Sequence, residues 1–438
     1  MTWLRTLWAR LRDAFWTLPA LLVASGLVLA SYLVQLDRSG VVPEAWIAGP
    51  WLYSGGGTGA RTLLGVVASS TIGVAGTAFS ITIAALSLAA GQMGPRLLRN
   101  FTRDRGNQAT LGAFLGTFVY ALTVLRSVRT TEEGAFTPHI ALSVGILLAI
   151  ACVGMLVYFV GHVASRINVD TVVNLVSDDV RSAMDRLTVR EPPVPAPQAG
   201  WDASFLDVPD ERRGYLQHLD EAALADWASR HGVTLRLLVR AGDYVFPGAA
   251  FARISSGPAD PRSVLRSSTA LGSDRASSAD LEYAVRQLVE VAVRALSPGI
   301  NDPHTAMSVL DRLGAALCDV ARTHLPSGVT TREGRIVLVV PAVEYGGLTD
   351  SMFHSIRQNA AASPAVLIRM VEVLTAVAGC EKRPERLGSL RRHVELVLAD
   401  AERTVPSDAD LRDVKERYRR FLAVELASLT DGSPHDEA

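Results

Sequence analysis

The sequence predicts a membrane-embedded helical domain followed by a soluble α+β domain. The chain has 438 residues, of which 49% are hydrophobic, and its mean hydropathy of +0.22 is high for a soluble protein. Before about residue 165 the apolar residues form long uncharged blocks, whereas beyond it they alternate with charged residues. This asymmetry separates a transmembrane domain, residues 1–165, from a C-terminal region.

Four uncharged runs are predicted to span the membrane, at about residues 15–34, 62–90, 109–125 and 140–161. A helix needs about 20 apolar residues to cross ~30 Å of hydrocarbon, so the first and fourth runs fit directly. The second run would be ~43 Å long and must tilt or project, while the third, at ~26 Å, is marginal. The first run is too long for a signal peptide and lacks a small-residue cleavage site, which indicates a retained anchor.

The arginines near the four runs predict the orientation. They cluster before the first run and between the second and third, at Arg5, Arg10, Arg12, Arg96, Arg99, Arg103 and Arg105. The other two links are nearly balanced in charge. Because positively charged loops remain cytoplasmic, we expect both termini in the cytoplasm and the protein in the inner (plasma) membrane of a bacterial cell.

The second run carries small and hydroxyl-bearing residues on one side of its predicted helix. They are Ser69, Gly73, Gly76, Ser80 and Ser87, at steps of four, three, four and seven, and Thr77 adds a hydroxyl nearby. Small residues let helices approach closely in lipid, so this face could pack against another helix. It could instead line a polar path. A charged ion site or proton relay is not indicated, because no Asp, Glu, Lys or Arg lies within the four runs.

Residues 166–190 are predicted to extend the last membrane helix. Their apolar residues follow the spacing of a coiled-coil seam, and packing on the chain's own domain is an equal alternative. The seam is Val169, Val173, Val176, Val180, Ala183 and Leu187. A proline-rich linker at 191–200 follows.

A small β-rich unit is predicted at residues 201–255. Its segment Arg240–Gly248 (RAGDYVFPG) resembles the turn of barrel-sandwich domains such as lipoyl and biotinyl carriers. Carrier function is excluded because those domains need an acceptor lysine, and the first lysine here is Lys382. Residues 256–279, rich in Ser, Gly, Pro and Asp, are predicted to be a loop. Residues 280–438 are predicted to form a mainly helical domain.

A short turn inside that helical domain, Ser297–His304, is a candidate ligand loop. Pro298 and Gly299 end one helix, and Asp302 caps the next. Capping alone accounts for most of this turn, while Asn301, Asp302 and His304 could also line a ligand site. The segment Arg391, Arg392 and His393 is assigned to a solvated helix face.

Several classes of function are not indicated. No nucleophile–base pair or metal-ligand spacing is visible, so we predict neither an enzyme nor a metal site nor a cofactor. The three cysteines form no CxxC motif. A net charge of −1 gives no support for nucleic acid as a partner. The expected partners are the lipid bilayer and further copies of the chain.

Three segments together resemble an uncharacterised bacterial family. They are Phe79–Asn107 (FSITIAALSLAAGQMGPRLLRNFTRDRGN), Phe118–Arg129 (FVYALTVLRSVR) and Arg294–Ala306 (RALSPGINDPHTA). The family is usually described as a predicted integral membrane protein, domain of unknown function 2254. The resemblance implies location and topology class, and it brings no activity, cofactor or site residues.

Two hypotheses of function follow. The first is an oligomeric channel or transport-like protein with a cytoplasmic regulatory domain, in which an ion or small solute passes along the second run. The alternative is a membrane-anchored sensor or scaffold whose cytoplasmic domain binds a ligand or a protein partner.

Overall fold

The chain folds into two compact units. The computed structural model describes residues 15–39, 53–93, 104–130, 136–166, 169–255, 260–273, 275 and 281–431. One unit is Met1–Thr171 and the other is Val172–Ala438. We call them the membrane unit and the second unit.

The membrane unit contains four helices that are long and apolar enough to cross a bilayer, as predicted. They are α1 (Thr17–Arg38), α2 (Gly57–Met93), α3 (Arg105–Ser127) and α4 (His139–Arg166). The third helix is longer than its uncharged run, because Asp104 caps it and its first turn is polar. Its 23 residues rise about 35 Å, which removes the shortfall in length. Of the arginines that predict the orientation, Arg5, Arg10, Arg12, Arg96, Arg99 and Arg103 lie outside the described residues.

Helix α3 is the centre of the membrane unit. Half of its most apolar window is buried, against 22–28% for the other three helices. Glycines bring it close to α1: a methyl group on Gly26 would lie 2.5 Å from the carbonyl oxygen of Gly116, and one on Gly116 would lie 2.8 Å from that of Leu22. Such distances exclude any side chain at this crossing, so these glycines set how closely the two helices pack.

Polar groups at the helix ends tie the bundle together. The carboxylate of Asp37 accepts hydrogen bonds from the backbone N–H groups of Ile140 and Ala141, at 3.1 and 3.0 Å, and so caps α4. Asp104 accepts from Gly106 N at 2.7 Å and lies 2.8 Å from His162 Nε2. These contacts satisfy backbone donors that the helices leave unpaired.

The second unit contains two β-sheets. The strands are β1 (Leu206–Pro209), β2 (Gly214–Leu219), β3 (Leu235–Leu237), β4 (Tyr244–Val245), β5 (Ala250–Ile254), β6 (Thr269–Gly272), β7 (Val329–Arg332) and β8 (Arg335–Val339). One sheet has the order β1-β5-β3-β8-β7 and the other β4-β2-β6. All pairs are antiparallel except β3 with β8. Residues of both sheets share one core, among them Leu216, Leu235 and Phe251.

The turn around Arg240–Gly248 depends on two glycines. Gly242 and Gly248 have φ of 96° and 78°, a backbone region that glycine enters without steric cost. Strand β4 lies between them and pairs with β2. The barrel-sandwich class of this unit stays a prediction.

The prediction of a loop over residues 256–279 is wrong in part. This stretch contains a helix, α7 (Arg262–Ser268), and strand β6. Leu265 of α7 is 3% exposed and enters the shared core, and β6 pairs with β2 along Leu219 to Tyr215. The polar composition of this stretch did not predict either element. One buried leucine is enough to anchor the helix, and four residues paired with β2 are enough to form the strand.

Helix α6 (Glu221–His231) packs on the sheets, where Leu224, Ala225 and Ala228 enter the shared core. The helices that follow the first sheet strands pack on one another as a helical layer, and α5 (Val169–Leu187) precedes them. They are α8 (Leu281–Ala295), α9 (Pro303–Ala321), α10 (Tyr345–Asn359), α11 (Pro364–Cys380), α12 (Pro384–Thr404) and α13 (Asp408–Asp431). Ion pairs with a buried carboxylate link these helices. Arg391 of α12 donates from Nε to both carboxylate oxygens of Glu425 at 2.9 Å, and Glu425 is 2% exposed.

The apolar seam of α5 is already covered within one chain. Val173, Val176 and Val180 are at most 1% exposed. The polar side of α5 contacts α9, where Arg312 donates to Asn174 Oδ1 from Nη2 at 2.7 Å. Of the two alternatives for this seam, packing on the chain's own domain is the one that the structure supports, rather than a coiled coil between copies.

Candidate functional site

The six residues singled out on α2 all lie exposed on the outside of the four-helix bundle. We call Ser69, Gly73, Gly76, Thr77, Ser80 and Ser87 the span-two face. A methyl group added at Gly73 or Gly76 would meet no described atom within 4 Å, in contrast to Gly26 and Gly116. The face therefore does not pack against another described helix of its own chain.

Three hydroxyls of this face donate hydrogen bonds to their own helix. Ser69, Thr77 and Ser80 donate to the carbonyl oxygens of Val66, Gly73 and Gly76 at 3.1, 3.1 and 2.9 Å. A hydroxyl group that donates its proton to a backbone carbonyl can lie in an apolar environment at little cost in free energy. Its oxygen still has lone pairs, which can accept a hydrogen bond from water or face a cation. The face can therefore adjoin lipid, a helix of another copy, or a water-filled path.

The turn Ser297–His304 is built around a helix cap. Asp302 accepts from the backbone N–H and from the hydroxyl of Thr305, at 3.1 and 2.6 Å. The Thr305 hydroxyl bond is the main cause that lowers the pKa of Asp302, so this carboxylate is charged at neutral pH. Asn301 has a φ of 49° and is exposed, as is His304. The structure places the three residues in one turn, where Asp302 has a structural role.

An open cleft of about 440 Å³ in the second unit is a site that sequence reasoning missed. Its wall includes His324, Tyr345, Arg383 and Arg386. Burial raises the pKa of Tyr345, and its hydroxyl has no hydrogen-bond partner in the described part of the chain. Burial, together with the nearby Arg383 and Arg386, lowers the pKa of His324. The cleft thus combines neutral His and Tyr side chains with two guanidinium groups.

The two arginines of the cleft already have structural partners. Arg386 Nη1 lies 3.1 Å from both Glu381 Oε2 and the carbonyl oxygen of Val320. Glu381 is 1% exposed. Arg383 Nη1 donates to the carbonyl oxygen of Ala321 at 3.3 Å. These contacts cap the C-terminal end of α9, and a bound anion would share the guanidinium groups with them.

The assignment of His393 to a solvated face is wrong. His393 is 0% exposed, and it lies with Asp350 and His354 in a group that could hold a metal ion. The sequence indicates part of this group, since Asp350 and His354 stand four residues apart and so share one helix face. It does not indicate His393, because His393 joins them only through the tertiary contact of α10 with α12.

Comparison with known families shows the family of the chain. The profile of a family described as "Predicted membrane protein (DUF2254)" matches residues 12–376. The chain belongs to this family. The match covers the described spans and the turn Ser297–His304, and it ends within α11.

The curated relatives of this DUF2254 protein include mycobacterial proteins. The uncharacterized proteins MT1328 of Mycobacterium tuberculosis (strain CDC 1551 / Oshkosh) and Mb1321c of Mycobacterium bovis are each 31% identical to it over 419 residues. The aligned region covers 91% of this chain and 78% of each relative. No solved structure matches the chain.

Proposed function

We propose that this DUF2254 protein is an oligomeric, channel- or transport-like membrane protein. In this proposal several copies meet along the span-two face and enclose a path for an ion or small solute. The observation that carries the proposal is the exposure of all six face residues. Small residues on the outside of a membrane bundle favour a neighbouring helix over lipid tails, because they let two backbones approach closely.

The size of the neighbouring side chains supports the view that a second copy of the chain covers this face. Ile72 and Phe79 flank Gly73 and Gly76, and they are 41% and 47% exposed. A groove at the glycines beside two protruding apolar side chains is self-complementary, since a ridge on one copy fits the groove of another. A closed ring of such contacts leaves the serine hydroxyls of α2 near its axis.

A path of this kind would discriminate weakly among solutes. The span-two face offers hydroxyl oxygens and no formal charge, whereas strong ion selectivity needs rings of carbonyls or charged side chains. We therefore expect conduction of water, small solutes or monovalent ions. The second unit would regulate the path from the cytoplasm.

The proposed location is the bacterial inner membrane, with both termini in the cytoplasm. The arginine asymmetry supports this orientation. The second unit, including a small β part of barrel-sandwich type, would then lie wholly in the cytoplasm.

Flux through liposomes tests the proposal. We expect purified protein to carry ion or small-solute flux, Gly76→Leu to reduce it strongly by filling the path, and Ser80→Ala to change it less. The matched control is Gly154→Leu on α4, where an added methyl group would also meet no described atom within 4 Å. This control should leave flux unchanged. Absence of flux under voltage, pH and osmotic gradients would contradict the channel. If the wild type carries no flux and Gly76→Leu loses its assembly, the span-two face is a packing surface without a path.

The sensor hypothesis is the second candidate, and the cleft at Tyr345 favours it. Two guanidinium groups and a buried hydroxyl without a described partner are suited to a small anion. Inorganic phosphate and small dicarboxylates should then raise the unfolding temperature of the protein, and Arg383→Gln should abolish that shift. Arg335→Gln changes an exposed arginine away from the cleft and is the control. Equal shifts in both variants would exclude the cleft as the anion site.

A further inference from the structure

A cluster of three side chains in the second unit has the composition of a transition-metal site. Asp350 and His354 lie one turn apart on α10, and His393 faces them from α12. One ligand atom from each residue lies within 4.8 Å of the other two. Two imidazoles and one carboxylate form a donor set typical of Zn²⁺ and of non-haem Fe²⁺.

The central histidine is buried without being satisfied. His393 is 0% exposed, and among the described residues neither of its ring nitrogens has a hydrogen-bond partner. Its Nε2 lies 3.0 Å from Asp350 Oδ1, but outside hydrogen-bonding geometry. Buried polar atoms in folded proteins nearly always have partners. The imidazole nitrogen thus lies beside a carboxylate without a hydrogen bond to it. A cation bound to both groups would satisfy the nitrogen and the carboxylate together.

The unpaired nitrogens of the cluster are not confined to His393. His354 Nδ1 is a further buried nitrogen without a partner among the described residues, so one turn of α10 and the facing turn of α12 present several unused donors.

The distances suit a small ion. Metal–ligand bonds of about 2.0–2.1 Å in a tetrahedron place the ligand atoms about 3.3–3.4 Å apart. Here Asp350 Oδ1 lies 3.0 Å from His393 Nε2 and 3.6 Å from His354 Nε2. The side chains of Asp350 and His354 are 33% and 32% exposed, so solvent reaches one side of the cluster. That open side gives an ion an entry route and leaves room for a water ligand.

A positive side chain competes for the same carboxylate. Arg392 Nη1 donates to Asp350 Oδ1 at 2.6 Å. Its side chain is 53% exposed, so it can turn into solvent when a cation approaches. The other nearby guanidinium, on Arg357, pairs with Asp400. A structural network of ion pairs around Asp350 is the alternative explanation, and it predicts no affinity for metal.

We propose that Asp350, His354 and His393 bind one divalent first-row transition-metal ion, of which Zn²⁺ is the best fit, with at least one coordination position open to solvent. Arg392 holds the carboxylate when no ion is bound. This inference goes beyond the proposed function and does not depend on it, since the cluster lies wholly within the second unit.

Titration of the untagged, chelator-treated full chain with Co²⁺ tests the proposal. Tetrahedral Co²⁺ gives strong visible absorption, and Zn²⁺ should displace it at one ion per chain. His354→Ala and Asp350→Asn should each weaken Co²⁺ binding by at least about 10-fold. Arg392→Gln should strengthen it, because it removes the competing cation. His304→Ala changes an exposed histidine of the same unit and should have no effect.

His393 itself is a poor test, because replacing a fully buried side chain would destabilise the unit. The variants above therefore change the two partly exposed ligands. A Co²⁺ titration without tetrahedral absorption would overturn the proposal. So would Co²⁺ binding that His354→Ala and Asp350→Asn leave unchanged. Binding that Arg392→Gln weakens instead of strengthening would overturn the role of Arg392 as competitor.

Discussion

Gly116 and Gly76 occupy opposite environments although both are glycines on membrane helices. An added methyl group at Gly116 would lie 2.8 Å from the backbone of α1, whereas at Gly76 it would meet no described atom. Gly116→Leu should therefore lower the unfolding temperature of the protein in detergent by overpacking, at a cost of about 1–3 kcal/mol or more. Gly76→Leu should leave that temperature unchanged in the monomer. Equal destabilisation by both variants would contradict the described crossing of α1 and α3.

The Asp202 carboxylate links two strands of the larger sheet and predicts a pH dependence. It pairs with Arg253 on β5 at 2.9 Å and with Arg236 on β3 at 2.5 Å. The hydrogen bond from Arg253 is the main cause that lowers the pKa of Asp202, and the bond from Arg236 adds to it against burial. Because the folded-state pKa is depressed, the stabilisation is present above the unfolded-state pKa of about 3.9 and is lost as pH falls through the folded-state pKa.

Asp202→Asn should then lower the unfolding temperature at pH 7 by about 3–8 °C. The difference between wild type and variant should shrink as pH falls below about 3.9, because the unfolded state of the wild type then begins to bind a proton at Asp202. Asp207→Asn removes a more exposed carboxylate, at 58% exposure, from the same Arg253 and should have a smaller effect. A difference that stays constant from pH 7 to pH 3 would show that the charge of Asp202 is not the cause.

Helix α5 shows what periodicity determines at the scale of an element and what it leaves open. The apolar spacing predicted the helix and its buried side, but a heptad-like seam is equally suited to a partner copy and to the chain's own core. The burial of Val176 within one chain favours the chain's own core. The same limit applies to residues 256–279, where β6 exists because β2 offers it a paired edge. That edge is tertiary information which local composition does not contain.

Val176→Asp should lower the thermal stability of the protein without changing the number of copies that remain assembled. The substitution places an unpaired charge in a fully buried position, which costs several kcal/mol. Ser182→Asp adds the same charge to the exposed side of α5 and should be neutral. If native mass spectrometry shows smaller assemblies for Val176→Asp at unchanged stability, the seam faces a second copy after all.

At the scale of the whole molecule, composition alone predicted the four apolar helices, because a bilayer demands about 20 apolar residues for each crossing. The same rule leaves the sites undetermined. The metal-ligand cluster joins His354 and His393, 39 positions apart, through the contact of α10 with α12, and the cleft at Tyr345 joins four segments of the second unit. The span-two face was visible as a pattern, whereas its exposure on the outside of the bundle was not.

The proposed orientation predicts which segments reach the periplasm. Alkaline phosphatase, which is active only outside the cytoplasm, should be active when fused after Gly56 and inactive when fused after Asn107 or Gly200. The reason is that Gly56 precedes α2 on the link with balanced charge, whereas Asn107 follows the arginine-rich link. Activity after Asn107 would overturn both the orientation and the cytoplasmic location of the second unit.

Disulfide cross-linking in native membranes tests most directly that copies meet along the span-two face. In a background without Cys152, Cys318 and Cys380, Ser80→Cys should form a covalent dimer under mild oxidation. Val157→Cys is the control, since Val157 is 71% exposed on α4, outside that face, and it should remain monomeric. Cross-linking of Ser80→Cys alone is the predicted result, and equal cross-linking at both positions, or at neither, would contradict the account.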